Sequence, residues 1–250
     1  MPDIICTTPI VQMTSQTAFL VCLLPIYTEV VDATDYRMPY REYVAAIYEL
    51  AEEGIPVIQA RIADWLGLSR ASVSEMIKRM TDAGLVTSDG EVMLAEEGRH
   101  LAEVVVRRHR LAERFLAEVL MLPWVKVHAE AEVWEHVISD DVEAAMWKAL
   151  GDPKTCPHGN PIPGAGYKPP PIKPLSTLVT GEARTLERIS EELELDAAVM
   201  GFLDDAEIRP GASLSVVAST PDGTLTVRSG DSPPVGVGSF IAERLFVAVG

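Results

Sequence analysis

The segment from His128 to His136 reads His-Ala-Glu-Ala-Glu-Val-Trp-Glu-His and contains two imidazoles and three carboxylates. Residues four apart share a helix face, so His128 aligns with Glu132, and Glu132 aligns with His136. Glu135, three residues after Glu132, lies on the same side. Imidazole and carboxylate groups together are typical ligands of divalent first-row metals. The spacing therefore predicts a metal site carried by a helix.

A second pair with the same spacing, His109 and Glu113, lies upstream. A single histidine is more often a surface or core residue than a ligand, and exposed helices are rich in glutamate. Two such pairs on neighbouring helices are harder to attribute to these ordinary roles. The combined pattern favours metal binding, although His-x-x-x-Glu alone is a weak signal.

The composition of the chain limits its function classes. The 250 residues carry a formal charge of −16, which argues against nonspecific binding to nucleic acid or to an anionic membrane. A local basic face is not excluded. The longest apolar run, residues 18–27, contains Pro25 and is too short to span a bilayer. We expect no membrane association.

The three cysteines, Cys6, Cys22 and Cys156, are widely spaced and form no Cys-x-x-Cys pattern. The sequence therefore predicts neither a disulfide framework nor a thiolate zinc site. A reducing, cytoplasmic location fits this usage best. Residues 1–37 lack a clear period, and two interpretations stay open: an N-terminal extension, or translation that begins at Met38.

Residues 38–99 have the element order of a winged helix-turn-helix. Helices are predicted over residues 39–53, over Ile58–Leu66 and from Ser69 to about Ala83, and a hairpin over Val86–Leu94. In the third helix Val73, Ile77 and Met80 form the buried stripe. The outward residues, which would contact DNA, are Ser69, Arg70, Ala71, Ser72, Ser74, Glu75 and Lys78. A plain helical bundle is the alternative.

The rest of the chain is predicted in three parts. Residues 100–151 contain the end of a helix from about Glu96 to Leu120 and a second helix from Trp124 to Leu150, whose surplus apolar faces favour a dimer. Residues 152–175 are Pro-rich and are predicted to be a linker without helix or strand. In residues 176–250, apolar and polar residues alternate over short segments, as in β-strands. This part is predicted to be a small β-barrel with one helix, about Asp196 to Ala206. The linker itself is a candidate ligand of that barrel.

Three runs give the chain a specific resemblance: Val106-Arg-Arg-His-Arg-Leu-Ala-Glu-Arg-Phe-Leu, then the run from Val127 to Glu143, and Gly159-Asn-Pro-Ile-Pro-Gly. With residues 43–54 and the helix-turn-helix, they resemble the DtxR/MntR family of metal-dependent transcriptional repressors. The resemblance is strong over residues 38–165 and weaker to residue 250. It implies a mainly α fold with small β content: a winged helix-turn-helix, a helical dimerisation domain and a C-terminal SH3-like (FeoA-like) β-barrel.

The resemblance implies two metal sites per subunit. One comprises His109, Glu113 and His128, completed by Glu191 and Glu194 from the C-terminal domain. The other comprises Glu42, Glu132, Glu135 and His136.

The residue types at the second site bear on the choice of metal. Iron-sensing members of the family have Met and Cys where this chain has Glu42 and Glu132, whereas manganese-sensing members have carboxylates at both positions. Hard oxygen ligands in place of sulfur favour Mn²⁺. The further acid of short manganese sensors is Ala45 here. Mn²⁺ is the expected cofactor, with Fe²⁺ as the alternative.

The predicted function is that of a Mn²⁺-activated, homodimeric repressor. Its partner is double-stranded operator DNA, and its targets are metal-uptake genes. An Fe²⁺-responsive repressor of the same family is one alternative. A dinuclear Mn/Fe carboxylate enzyme and a metal-independent winged-helix regulator are two others.

Overall fold

The computed structural model describes residues 38–249. The prediction for residues 1–37, and with it Cys6 and Cys22, lies outside these residues. The described helices and strands are α1 Met38–Glu52, α2 Gln59–Leu66, α3 Arg70–Asp82, β1 Val86–Asp89, β2 Glu91–Leu94, α4 Glu96–Glu118, α5 Trp124–Trp134, α6 Asp140–Ala149, β3 Ile172–Pro174, β4 Ala183–Ile189, α7 Glu191–Glu194, α8 Ala197–Asp205, β5 Ser213–Ser219, β6 Leu225–Ser229, β7 Val235–Val237, α9 Ser239–Ala242 and β8 Leu245–Ala248.

The elements from α1 to β2 have the predicted winged helix-turn-helix arrangement. Gly67 ends α2 with a φ of +63°, a left-handed conformation that glycine adopts without steric cost. The hairpin pairs Val86 with Leu94 and turns at Gly90. Ile47 on α1 belongs to the same buried apolar cluster as Val73 and Ile77 on α3. These side chains form one core, in which α3 packs mainly against α2 and β1.

The single helix predicted from Trp124 to Leu150 is two helices, α5 and α6. The chain leaves α5 after Trp134, and Ser139 then caps α6 by accepting a hydrogen bond from the Val142 amide. The apolar pair Val137 and Ile138 continues the helical pattern across the break and explains the error. Beyond the break, Asp140 and Asp141 lie in the first turn of α6, where acidic residues are favoured.

The Pro-rich segment is packed into the protein over part of its length. Cys156, His158 and Asn160 are buried. Its far end is strand β3, which pairs antiparallel with β8, although the sequence predicts no strand there. Proline is compatible with an edge strand because that strand pairs on one side alone.

The C-terminal strands form an antiparallel sheet in the order β3-β8-β4-β5-β6-β7. The predicted barrel is not closed among the described residues. Its two edge strands, β3 and β7, have three residues each and do not pair with one another. The predicted helix from Asp196 to Ala206 is α8, with Asp196 as its N-cap.

Within residues 38–249, no helix combines the length and the apolar character that crossing a membrane requires.

Candidate metal centre

Five of the predicted ligands meet in one buried cluster, formed by His109, Glu113, His128, Glu191 and Glu194. α4 contributes His109 and Glu113 one turn apart, and α5 contributes His128. The two remaining carboxylates come from α7, a single turn capped by Ser190. α8, which follows α7, packs against α5 and so brings the α7 carboxylates to the two long helices.

Glu113 is at the centre of the buried cluster. Its Oε1 lies 3.4 Å from His109 Nε2 and 3.3 Å from His128 Nδ1. The same two nitrogens are 3.2 Å apart. Glu191 Oε1 lies 3.7 Å from His109 Nε2, and Glu194 Oε2 lies 3.4 Å from His128 Nδ1. Donor atoms of this kind and spacing can converge on one ion.

The charges in the cluster strongly shift its proton equilibria. Burial by itself would lower the pKa of His109, but the carboxylates of Glu113 and Glu135 outweigh it and hold that pKa well above its usual value. For His128 burial is likewise outweighed, by hydrogen bonds to Glu113 and Glu194, and the pKa rises to about 10. Burial raises the pKa of Glu194 to about 7, against the opposing effect of His158. The raised pKa values mean that the cluster favours bound positive charge, which either protons or a metal cation can supply.

Several buried polar atoms of the cluster lack a hydrogen-bond partner among the described residues: Glu113 Oε2, His128 Nε2 and Glu191 Oε1. An unsatisfied buried acceptor costs about 1–3 kcal/mol, and more when charged. Imidazole nitrogen and carboxylate oxygen are suitable ligands for Mn²⁺ or Fe²⁺. The donor set and its unsatisfied atoms therefore fit a divalent cation.

The other predicted set, Glu42, Glu132, Glu135 and His136, lines a cavity of about 500 Å³ between α1 and the end of α5. Glu42 and Glu132 are exposed. Glu135 and His136 lie in the turn after α5 rather than on the helix itself. In the part of the chain that the structure describes, the tight groups of metal-ligating atoms include none of these four residues.

Glu135 connects the cavity with the buried cluster. Its Oε2 lies 2.7 Å from His109 Nδ1, so it orients that ring from the cavity side. Glu49, on α1, also lines the cavity and is not among the predicted site residues. Burial, together with the charge of Glu191, raises the pKa of Glu49 to about 8. The raised pKa means that the surroundings of Glu49 disfavour its charged form, which a nearby cation would stabilise.

Sequence reasoning also missed His158 and Asn160. His158 Nδ1 lies 3.3 Å from Glu113 Oε1 and 2.6 Å from Glu194 Oε2. Asn160 Nδ2 donates to Glu194 Oε1 at 2.7 Å. Both residues lie in the segment predicted to be a linker. The available signal was two metal-ligating residue types, Cys156 and His158, separated by a single proline.

Arg110, on α4 next to His109, was missed as well and is fully buried. It donates to both carboxylate oxygens of Glu52 at the end of α1, at 3.1 and 2.7 Å. It also donates to Glu191 Oε2 at 3.1 Å. One guanidinium therefore ties α1 to α4 and holds a carboxylate of the buried cluster.

The helix-turn-helix presents its predicted outward side chains to solvent. All seven are exposed: Ser69, Arg70, Ala71, Ser72, Ser74, Glu75 and Lys78. Ser69 is the N-cap of α3 and accepts a hydrogen bond from the Ser72 amide at 3.1 Å. The N-terminus of α3 thus carries small polar side chains, which allow close approach of a base edge or a phosphate.

Two protein-family models match the chain. Residues 39–91 match the iron dependent repressor N-terminal DNA binding domain. Residues 95–164 match the iron dependent repressor metal binding and dimerisation domain. The first match runs from α1 to the first residue of β2, and the second covers α4 to α6 and part of the Pro-rich segment.

Whole-chain relatives agree with the family models. The iron-dependent repressor IdeR of Mycobacterium tuberculosis is 41% identical over 212 residues, which cover 80% of this chain and 89% of the relative. The diphtheria toxin repressor of Corynebacterium diphtheriae is 39% identical over 74% of this chain and 86% of its own length. These matches, whose relatives are named as repressors, do not support the alternative of a dinuclear carboxylate enzyme.

Two similar solved structures are named for manganese, whereas the relatives identified by sequence include iron-dependent repressors. A manganese-dependent transcriptional repressor in complex with manganese has a TM-score of 0.73 and 34% identity, covering 83% of this chain and 98% of that chain. The manganese regulator SloR has a TM-score of 0.67 and 29% identity, covering 83% and 96%. By its family models, relatives and structural neighbours, this chain belongs to the iron-dependent repressor family of metal-dependent, DNA-binding transcriptional repressors.

Proposed function

We propose that this chain is a Mn²⁺-activated homodimeric repressor that binds operator DNA and controls metal-uptake genes. The observation that carries the choice of metal is the donor chemistry around the cavity. Glu42, Glu132 and Glu135 offer hard carboxylate oxygens, and His136 offers one imidazole. None of the four is a sulfur ligand, and Mn²⁺ prefers oxygen and nitrogen.

The proposed ligands of the buried cluster are His109, Glu113, His128, Glu191 and Glu194. Those of the cavity are Glu42, Glu132, Glu135 and His136. A divalent cation bound in the cavity would supply positive charge that offsets three carboxylates and would connect α1 with the end of α5. Glu135 then serves both sites, because one of its oxygens already orients His109.

The two ends of α1 are held differently, which suggests how the switch works. At the C-terminal end, Glu52 pairs with Arg110. In the same turn, Glu53 accepts hydrogen bonds from the Ser190 hydroxyl at 2.7 Å and the Glu191 amide at 2.9 Å. Glu42, nearly three turns away, faces the acidic cavity. At this end Arg41 Nη1 donates to the His136 carbonyl oxygen at the long distance of 3.5 Å. Mutual repulsion of the cavity carboxylates opposes this contact, so a cation in the cavity would strengthen the hold on the N-terminal half of α1.

Restraint of α1 reaches the DNA-binding helix through the shared core. Ile47 of α1 packs in one cluster with Val73 and Ile77 of α3. When α1 is held against α5, α3 is therefore also held relative to the domain that matches the family's metal binding and dimerisation model. In a two-fold dimer this sets the spacing of the two recognition helices, which must match palindromic half-sites.

The proposed homodimer is supported by apolar side chains exposed on the same domain. Val119, Leu120 and Met121, after α4, are 48%, 53% and 77% exposed. Val133 and Val137, around the end of α5, are 62% and 78% exposed. Residues of this type on a dimerisation domain are expected to be covered in a two-fold assembly.

The metal switch is tested by DNA binding. A duplex enriched from a randomised library with Mn²⁺-loaded protein serves as the probe, and fluorescence anisotropy measures binding with Mn²⁺, Fe²⁺ (under anaerobic conditions), Zn²⁺ or chelator. We expect tight binding with Mn²⁺ and loss of binding with chelator. Equal affinity in chelator would refute the switch, and a stronger response to Fe²⁺ would favour the iron-responsive alternative.

The role of Glu132 is tested by Glu132→Cys. A thiolate at this position should move the metal preference from Mn²⁺ toward Fe²⁺ or Co²⁺. Ala129→Cys, on the same helix and also exposed, is the matched control and should leave the preference unchanged. If Glu132→Cys ranks the metals in the same order as the parent protein, the argument for manganese from the ligand type is wrong.

A further inference from the structure

The Pro-rich segment places a thiol beside an imidazole in the interior. Cys156 and His158 are 1% and 0% exposed. The turn between them is fixed, because the Cys156 amide donates to the Asn160 carbonyl and the Gly159 amide donates to the Cys156 carbonyl. The Ile189 amide also donates to the His158 carbonyl at 2.9 Å, which anchors the turn to β4.

Gly159 makes this close approach feasible. Its φ is +90°, and a Cβ there would lie 2.1 Å from the carbonyl oxygen of Glu187. No other residue type fits without moving the turn away from β4. The backbone therefore fixes the positions of Cys156 and His158 relative to β4, next to the buried cluster.

The distances suit co-ligands of one ion. Cys156 Sγ is 3.8 Å from His158 Nδ1, which is 3.3 Å from Glu113 Oε1. Ligand atoms on a tetrahedral ion with bonds of about 2.0–2.3 Å lie roughly 3.3–3.7 Å apart. Glu113 Oε2, the second oxygen of the same carboxylate, is buried and lacks a hydrogen-bond partner among the described residues.

Glu113 belongs to two groups of potential ligands. One group contains His109, Glu113, His128 and Glu191, and the other contains Glu113, Cys156 and His158. Together with Glu194 they form a set of seven side chains, more than the six positions usual around a first-row ion. A carboxylate has two oxygens and can bridge two ions about 3.5–4 Å apart.

We propose that Cys156 and His158 form a second, thiophilic metal site next to the buried cluster, with Glu113 as the bridge. Zn²⁺ or Co²⁺ is the class of ion that a thiolate, an imidazole and a carboxylate select. The site is additional to the ligands proposed above for Mn²⁺, although it shares Glu113 with them. The Cys156 thiol releases one proton to solvent when its sulfur binds the ion.

The softness of sulfur decides the selectivity of the site. Zn²⁺ and Co²⁺ bind thiolate strongly, whereas Mn²⁺ prefers oxygen and nitrogen ligands. The site should therefore discriminate against Mn²⁺.

The experiment is a Co²⁺ titration of the full chain followed by absorption spectroscopy, with bound ions counted by mass spectrometry after dialysis. We expect a thiolate-to-Co²⁺ charge-transfer band. Cys156→Ser should abolish it and remove one ion per chain, and His158→Phe should also remove one ion. The double variant Cys6→Ser/Cys22→Ser controls for the other cysteines and should keep the band. A band that persists in Cys156→Ser, or an unchanged ion count in both site variants, would overturn the proposal.

A second measurement avoids altering the site. Zn²⁺-loaded Cys6→Ser/Cys22→Ser protein, studied by X-ray absorption, should show one sulfur at about 2.3 Å from zinc. Absence of a sulfur neighbour would overturn the proposal even if Cys156→Ser fails to fold. The outcome is separate from the manganese switch: loss of Mn²⁺-dependent DNA binding with the sulfur signal intact counts against the switch alone.

Discussion

Replacing Arg110 with methionine removes a buried charge that connects three parts of the protein. The guanidinium is fully buried and donates to Glu52 on α1, to Glu191 on α7 and to the carbonyl oxygen of Pro161. Methionine has a similar length but no charge and no donors. In the variant, Glu52 and Glu191 lose their shared cation while the apolar packing is largely kept.

The size of the effect follows from the exposure of the two carboxylates. Breaking a buried ion pair by removing one partner costs about 3–5 kcal/mol. The Glu52 side chain is 20% exposed and can regain water, whereas Glu191 is 4% exposed and cannot. We therefore expect the lower part of that range, about 3–4 kcal/mol. For a chain of this size, each kcal/mol lowers Tm by about 2–4 °C, so Tm should fall by roughly 6–16 °C.

Thermal melting by circular dichroism in the presence of chelator measures this loss without a contribution from metal binding. Arg99→Met is the matched control, because Arg99 is on the same helix but exposed. A surface substitution of this kind usually changes stability by less than about 0.5 kcal/mol. If Arg110→Met melts within about 2 °C of the parent protein, the assumption that its charge is needed inside the protein is wrong.

The cause can be separated from a general packing defect with a second substitution. Glu191→Gln in the Arg110→Met background removes the buried carboxylate that has lost its guanidinium partner. Coupled buried sites show interaction energies of about 0.5–3 kcal/mol, so the double variant should be more stable than the sum of the two single losses predicts. Strictly additive losses would show that the lost pairing of Glu191 with Arg110 is not the source of the destabilisation.

Three further predictions concern packing, capping and metal binding. In Gly98→Ala the new Cβ would lie 1.9 Å from the Leu85 carbonyl oxygen, so urea unfolding should show a loss of about 1–3 kcal/mol; an unchanged midpoint would contradict this close approach. Ser69→Ala removes the cap that accepts from the Ser72 amide and should cost about 1 kcal/mol in the same assay; a neutral result would mean that solvent replaces the cap. Mn²⁺ at 100 times its Kd should raise the free energy of unfolding by about 2.7 kcal/mol, and a Tm that does not respond to Mn²⁺ would show that the folded state does not bind it preferentially.

The local parts of the fold were predictable from the sequence because they depend on short-range patterns. The helix-turn-helix was predicted to within one or two residues, since Gly67 and Ser69 carry the chemistry of a helix end and a helix start. The break between α5 and α6 was missed because Val137 and Ile138 keep the apolar period. Here the N-cap at Ser139 starts a new helix although the apolar pattern continues, and the pattern of apolar residues alone does not reveal such a cap.

From residue spacing alone, the site was predictable only where its residues share a helix, and Glu191 and Glu194 were expected from the family resemblance instead. His109 and Glu113 lie one turn apart, and the spacing pointed to them directly. His158 touches the same carboxylate from a segment whose proline content predicts a linker, and a spacing rule does not relate it to α4. Arg110 also depends on distant contacts, with Glu52 and Glu191 at separations of 58 and 81 residues. Such contacts are set by tertiary packing, which local sequence patterns do not encode.

The choice between manganese and iron depends on a few side chains rather than on overall similarity. Relatives named as iron-dependent repressors match this chain at 41% identity, and a repressor crystallised with manganese matches it at 34%. Both values establish the family, and neither ranks the metals, because most identical positions serve the fold. Ligand atoms determine metal preference directly, through hardness and charge. As proposed ligands, Glu42 and Glu132 bear on the metal more directly than overall identity does, and a substitution at Glu132 tests the proposed assignment.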